Sequence, residues 1–365
     1  MLAYFTWNPQ RVIFKIPYFD FPILWYSLLF ALGFLLGYLV FRGILKKYFL
    51  AYPTLNLKEI KSWPLLIEIL KNPQTPEQIN YAAFFNFKSS SKKELFSKEA
   101  SLIDKEAFLK PLNDRISKNK AERHLLEKAF PGCFYTIKEK ATFISDKVTV
   151  YMVLATIIGA RLGQILFYEN ISFYLKHPLE IFKVWQGGLA SHGAAAVIIL
   201  ALWILSRRLK DFRPKISFLN FMDFVAAPTA LAAVFIRIGN FFNQEILGTE
   251  TTVPWGVLFL NPLDGSSPAV RHPVQLYEAG FYLFTFLVLA YLAFKKECFL
   301  KKGRLMGLFL ILVFGFRLFI EFFKINESPL TDQSSFLMGQ YLSIPLILLG
   351  FFWFFYRPQK NQDFT

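Results

Sequence analysis

Arg237-Ile-Gly-Asn240-Phe-Phe-Asn243-Gln-Glu245-Ile-Leu-Gly248 closes an otherwise apolar run that begins near Phe224. It places an arginine, two asparagines and a glutamate where a helix in hydrocarbon carries none. An arginine at mid-bilayer costs roughly 2.5–3.5 kcal/mol on insertion scales, so such a side chain turns toward a partner or a polar cavity. Arg237 and Asn240 share a face at helical spacing, and Glu245 follows roughly two turns on, so a continuous helix would gather all three. Gly239 and Gly248 permit close backbone approach or a sharp turn. Two readings follow: a polar pocket in lipid with Arg237 as its anion-binding centre, or an Arg–Glu pair that only ties helices together.

The chain around this stretch sets the fold class. Of 365 residues, 54% are hydrophobic and 44 are Phe, with a mean hydropathy of +0.37. The apolar residues lie in long blocks, not in the short alternating segments of a closed barrel. An all-α, polytopic membrane protein is expected. Seven runs, roughly 22–42, 148–169, 188–206, 220–242, 274–294, 305–323 and 340–356, are long enough to be spans. No cleavage-site pattern follows the first run, which is read as a retained helix.

The formal charge of +15 does not indicate nucleic acid, because the basic residues sit beside helix ends and in one long loop. Arg207, Arg208, Lys210, Arg213 and Lys215 follow the third run. Lys295, Lys296, Lys301, Lys302 and Arg304 follow the fifth, and Arg357 and Lys360 the seventh. By the positive-inside rule the N-terminus is outside and the C-terminus cytoplasmic. The expected organisation is an N-terminal segment with the first helix (1–45), a cytoplasmic insert (46–146), and the remaining helices (147–365) with an external loop at 243–273. The insert is rich in Lys and Glu, as in Lys58-Glu-Ile-Lys61 and Lys92-Lys-Glu94, and reads as a small helical domain or an adaptable loop. Its His124 is expected at the surface. Cys133 and Cys298 have no metal-ligand pattern around them, and a disulfide framework is not expected on the cytoplasmic side.

Two further arginines lie in apolar runs: Arg161 in Ile158-Gly-Ala-Arg-Leu-Gly163, and Arg317 in Phe314-Gly-Phe-Arg-Leu-Phe-Ile-Glu-Phe322. Arg161 suits helix packing or a headgroup contact. Arg317 and Glu321 share a helical face and can pair, as a site or as a strut. Guanidinium matches phosphate oxygens and keeps its charge in a dry site, so arginines on three helices suggest an anionic phospholipid headgroup. His192, in Trp185-Gln-Gly-Gly-Leu-Ala-Ser-His-Gly193, is a candidate general base among small neighbours, or a structural histidine. Tyr26 opens the first run as an interfacial aromatic would. Arg271-His-Pro-Val-Gln-Leu-Tyr-Glu278 reads as a capping and anchoring segment.

In order, Trp25-Tyr26, Gly159-Ala-Arg-Leu-Gly163, Gly187-Gly with His192-Gly193, the Arg237–Gly248 motif, Pro254-Trp255, Arg271–Glu278 and Arg317 with Glu321-Phe-Phe323 resemble the prolipoprotein diacylglyceryl transferases. The resemblance covers all but residues 46–146. It implies a seven-helix inner-membrane enzyme that moves the diacylglyceryl group of phosphatidylglycerol onto the lipobox cysteine of a prolipoprotein signal peptide. It also implies that Tyr26, His192, Arg237, Asn240, Glu245, Gly248 and Arg317 match residues tied to activity, with Arg237 on the headgroup. His192, Arg317, Tyr26 and Glu245 are the expected catalytic group. Arg237, Asn240, Asn243, Gly248, Arg161 and Glu321 are expected to bind phosphatidylglycerol, and neither metal nor cofactor is needed. Ile236, Ala194, Gln164 and Phe314 depart from the family pattern without removing a reacting group. A transporter or flippase of an anionic phospholipid is the alternative.

Overall fold

The computed structural model describes residues 4–18, 21–84, 102–183, 190–209, 214–325 and 337–356. Trp185 to Leu189 of the glycine-rich entry, Lys92 to Glu94, Lys210, Arg213, Arg357 and Lys360 lie outside the described residues. In chain order, strands β1 (Phe5–Trp7), β2 (Val12–Ile16) and β3 (Phe21–Leu24) precede helix α1 (Trp25–Ala51). Among the described residues, four helices follow: α2 (Trp63–Lys71), α3 (Pro76–Phe84), α4 (Leu102–Lys118) and α5 (Ala121–Ala129). Helix α6 (Ile137–Tyr168), the short α7 (Ile171–Lys176), α8 (Ser191–Arg208) and α9 (Phe218–Asn243) lead to strands β4 (Val257–Phe259) and β5 (Ala269–Arg271). Helices α10 (Val274–Phe294), α11 (Arg304–Ile320) and α12 (Met338–Phe355) complete the chain.

Among the described residues, five helices are long and apolar enough to cross a membrane: α1, α6, α9, α10, and α11 with its final turn. The other two expected runs hold α8 and α12. Helix α8 spends its ends on Ser191-His192-Gly193 and Arg207-Arg208, which shortens its apolar centre. The apolar stretch of α12, Gly339–Phe355, is also short. The fold is predominantly helical, as expected, but the sequence reading missed its strands. These form a three-stranded sheet in the order β1-β4-β5 and a β2–β3 hairpin.

Two compact units divide the chain, Met1–Ile44 with Met222–Pro358, and Leu45–Phe221 with Gln359–Thr365. In the first, α1 packs on α9 through Gly33, where an added Cβ would stand 3.2 Å from Ala232 Cα. Helix α10 meets α11 through the stacked rings of Phe281 and Phe316, 4.1 Å apart. The first turn of α11 is capped from another helix. The buried carboxylate of Asp223 accepts from the backbone N–H groups of Gly303 (2.6 Å) and Met306 (2.9 Å), which the helix itself leaves without acceptors. Trp7 of β1 donates its indole N–H to the Phe241 carbonyl (2.9 Å) and stacks on the Phe241 ring, fixing the sheet to the C-terminal end of α9.

In the second unit the described part of 46–146 is a helical bundle with its own core, including Leu66, Leu112, Ile116, Leu126 and Phe130. His124 is exposed. An ionic network is buried beside that core: Glu59 meets Arg123 at 3.0 Å and Lys140 at 2.5 Å, and Arg123 meets Glu127 at 2.7 Å. Such charges are tolerated inside only when fully paired. Lys140 belongs to the first turn of α6, so the network ties the bundle to that helix. Thr136 and Glu139 form a capping box at the same helix start.

Candidate active site

Arg237 projects from α9 toward α10, where its Nε lies 3.0 Å from Oε2 of Glu278. Glu278 is fully buried, and its second oxygen lies 2.9 Å from Lys324 Nζ. One carboxylate from α10 therefore holds two cations from different parts of the chain. Burial of that kind is stable only because each charge finds its opposite. Arg237 also donates through Nη1 to Asn240 Oδ1 at 3.2 Å. The Arg–Glu pairing considered from the sequence is real, but the partner is Glu278 and not Glu245. Glu278, the last residue of the segment read as capping and anchoring, is the carboxylate of this cluster.

The expectation of a continuous helix through Glu245 is also corrected. Helix α9 stops at Asn243, and Gln244 takes a left-handed conformation with φ of 53°. Gln244 N–H donates to Phe241 O (3.2 Å) and Glu245 N–H to Asn240 O (3.1 Å), the paired bonds of a Schellman cap. The turn folds Glu245 back over the helix end, so its Oε1 accepts from Asn240 Nδ2 at 2.7 Å and Asn243 Nδ2 at 3.1 Å. Gln275 of α10 donates to the Glu245 carbonyl at 2.8 Å. The four polar residues of the motif do come together, through chain reversal and not helical periodicity.

Gly248 and Gly239 have steric reasons. A Cβ at Gly248 would stand 2.8 Å from His272 Cβ, and the bare backbone lets 247–249 lie between His272 and Lys324. Thr249 N–H donates to Phe323 O (2.8 Å) and His272 N–H to Thr249 O (3.0 Å). This ribbon delivers Lys324 to Glu278. At Gly239 an added Cβ would lie 2.7 Å from Tyr26 Cδ2, so the tyrosine ring rests directly on α9.

Arg317, on α11, has no carboxylate within ion-pair distance among the described residues, and its buried Nε has no hydrogen-bond acceptor there. The expected pairing with Glu321 does not form. Helix α11 ends at Ile320 and Glu321 opens a tighter turn, Glu321–Phe323, so the four-residue register is lost. Glu321 instead faces Lys324 at 3.5 Å and packs against Gly339.

His192 and Arg161 belong to the other unit. Gly159 and Gly163 of α6 meet Gly193 of α8 so closely that a Cβ on Gly159 would stand 2.6 Å from the Gly193 carbonyl. Ala190 N–H donates to Ala160 O at 2.9 Å. This contact sets the start of α8, where the exposed imidazole of His192 is flanked by the rings of Phe167 and Tyr168 at 5.7 and 5.6 Å. The buried Arg161 donates to the carbonyls of Glu180 (2.8 Å) and Ile181 (3.1 Å) and lies over the Tyr174 ring, clamping the segment after α7.

Sequence reasoning missed Glu278, Lys324 and Gln275. The available signal was the rule already applied to the arginines, that a charge within an apolar run needs a partner. Glu278 opens one such run and Lys324 ends another. Among the described residues, no group of three His, Cys, Asp or Glu side chains is placed to hold a metal ion.

An apolar multi-pass bundle with guanidinium, ammonium and carboxylate groups gathered at its helix ends defines a membrane protein that handles an anionic, lipid-borne group. The prolipoprotein diacylglyceryl transferase family matches residues 128–356. The chain is 42% identical over 351 residues to the phosphatidylglycerol–prolipoprotein diacylglyceryl transferase of Protochlamydia amoebophila, covering 96% of this chain and 94% of the relative. The enzymes of the same name from Tolumonas auensis and Chlamydia caviae are each 43% identical, covering 56% and 58% of this chain and 76% and 72% of their own lengths. The chain belongs to the prolipoprotein diacylglyceryl transferase family, and it is a multi-pass protein of the bacterial inner membrane.

Proposed function

We propose that this chain transfers the diacylglyceryl group of phosphatidylglycerol to the lipobox cysteine of prolipoprotein signal peptides. The observation that carries this reading is Arg317, a guanidinium that meets no carboxylate among the described residues, on the unit that also holds the Arg237–Glu278–Lys324 cluster. An unpaired cation in an apolar bundle is costly unless an anion completes it. A phosphodiester headgroup has the charge and oxygen geometry to do so.

The substrate thiolate attacks the glycerol carbon that bears the phosphate ester. A carbon–sulfur bond forms as the carbon–oxygen bond breaks, and the electron pair leaves with glycerol phosphate. A free thiol has a pKa near 8.5, so a base is needed; His192 takes the proton in this proposal. Arg237 and Arg317 stabilise charge gathering on the departing phosphate oxygen, an effect strengthened where water is excluded. Asn240, Asn243 and Glu245 orient the headgroup glycerol, Glu321 and Lys324 fix the far side of the cluster, and Gly248 keeps the ribbon close. Tyr26 rests on α9 at Gly239. Arg161 acts on the segment it clamps. Neither metal nor cofactor enters these steps.

The proposed topology has seven crossings with α8 and α12 among them, the N-terminus outside and the C-terminus in the cytoplasm. Residues 46–146 are then cytoplasmic, 243–273 form an external loop, and the reacting cavity faces the outer half of the bilayer. Purified protein in phosphatidylglycerol vesicles with a lipobox peptide should yield thioether-lipidated peptide. Lipid movement between leaflets without that product would establish the flippase alternative. Full transfer by His192→Gln would remove His192 as the base.

A further inference from the structure

In the second unit, the ends of α6 and α8 that lie away from His192 carry three cations, each set against an aromatic ring. Lys147 Nζ stands 4.5 Å from the centre of the Phe143 ring. Arg207 lies 5.2 Å over the Trp203 ring, and Arg208 donates through Nη1 to the Tyr151 hydroxyl at 2.7 Å. Phe143, Lys147 and Tyr151 recur at helical spacing on one face of α6, as Trp203 and Arg207 do on α8. The two helices run antiparallel, Gly159 against Gly193 at one end and Tyr151 against Arg208 at the other. Arg208 therefore reaches across to the stripe that carries Lys147.

Lys147, Arg207 and Arg208 are exposed. Among the described residues no carboxylate lies within ion-pair distance of any of them. A ring orients a cation through its quadrupole but does not neutralise it. The Tyr151 hydroxyl accepts from Arg208 and keeps its own proton for another acceptor. One ammonium, two guanidinium groups and a phenol are the donors that suit a phosphate. Toward hydrocarbon the same two stripes continue with exposed Leu154 and Leu200, a surface that acyl chains would cover and free phosphate would not. Arg207 and His192 stand near opposite ends of α8, about 22 Å apart along its axis, so this patch is separate from the proposed reaction site.

We propose that this end of the α6–α8 pair binds the phosphate headgroup of an anionic phospholipid in the cytoplasmic leaflet, as a structural lipid and not as a substrate. The leaflet rests on the proposed topology. Basic clusters between helices on that side of a membrane are suited to anionic headgroups.

Native mass spectrometry of the detergent-solubilised protein, titrated with phosphatidylserine or with phosphatidylcholine, tests this. Each basic residue near the surface contributes about fivefold to binding, so Lys147→Gln with Arg207→Gln and Arg208→Gln should weaken one phosphatidylserine site about a hundredfold. Phosphatidylcholine retention, the unfolding midpoint in lipid-free detergent and KM for phosphatidylglycerol should stay within about twofold of the parent. Tyr151→Phe, which keeps the ring and releases Arg208, should weaken the same site about threefold. Lys295→Gln with Lys296→Gln removes two charges elsewhere on the proposed cytoplasmic side and should change nothing. Phosphatidylserine affinity of the triple variant within about twofold of the parent would overturn the proposal. So would an equal loss in the Lys295 and Lys296 control, which would mark diffuse charge only, or a KM for phosphatidylglycerol that rises in step with the lost lipid. Labelling of Arg207→Cys by an impermeant maleimide from outside intact spheroplasts would overturn it through the topology, a failure distinct from that of the lipid count.

Discussion

Replacing Glu278 should unfold this protein more readily than replacing Arg237, although the two residues form one ion pair. Glu278 is fully buried and serves Arg237 at 3.0 Å and Lys324 at 2.9 Å. Removing one member of a buried pair costs about 3–5 kcal/mol, chiefly because the other charge is left alone. Glu278→Gln strands two cations. Lys324 keeps Glu321 at 3.5 Å, and Arg237 keeps Asn240 at 3.2 Å, so the loss belongs at the lower end, about 3 kcal/mol. Arg237→Ala strands no charge, since Glu278 retains Lys324. It removes the ion pair and the hydrogen bond to Asn240 Oδ1 from a side chain that is 17% exposed, a loss of about 1.5 kcal/mol. Equilibrium unfolding of detergent-solubilised variants should therefore separate them by about 1.5 kcal/mol, roughly a tenfold change in the unfolding constant. Lipid binding should fall in both. If Arg237→Ala proves as destabilising as Glu278→Gln, the carboxylate is not shared and this account of the cluster is wrong.

Arg317→Ala should leave stability within about 0.5 kcal/mol, because no described carboxylate depends on it, while transfer falls by about a hundredfold or more. A destabilised Arg317→Ala protein would mark a strut instead. Gly159→Ala places a Cβ 2.6 Å from the Gly193 carbonyl and 2.8 Å from Val197 Cβ, and overpacking of that kind costs about 1–3 kcal/mol, read from the unfolding midpoint. Cys133 is buried, and desolvation pushes its thiol up to about 11. At pH 8 an alkylating reagent should modify the half-buried Cys298 and spare Cys133 until the protein unfolds, as mass spectrometry would show. Because the folded-state value lies above the unfolded one, near 8.5, the stabilisation is complete below pH 8.5 and is lost as pH rises toward 11. Cys133→Ala should flatten that alkaline decline.

Composition and block hydropathy alone determined a helical, multi-pass membrane protein, since long apolar runs have no other use for their backbone polar groups than helical pairing. The sequence also singled out Arg161, Arg237 and Arg317, because charge in hydrocarbon is rare enough to be informative singly. Partner choice was not legible. Helical spacing suggested that Arg237 meets Glu245 and that Arg317 meets Glu321. In the structure both pairings are broken by helix ends, a left-handed turn at Gln244 and a tighter turn at Glu321, which local spacing cannot anticipate. Glu278 and, through it, Lys324 are joined to Arg237 by contacts between segments far apart in the chain. Only tertiary packing decides such contacts, because a charge buried on one helix is satisfied by whichever opposite charge the fold brings within about 3 Å, whatever the distance in sequence.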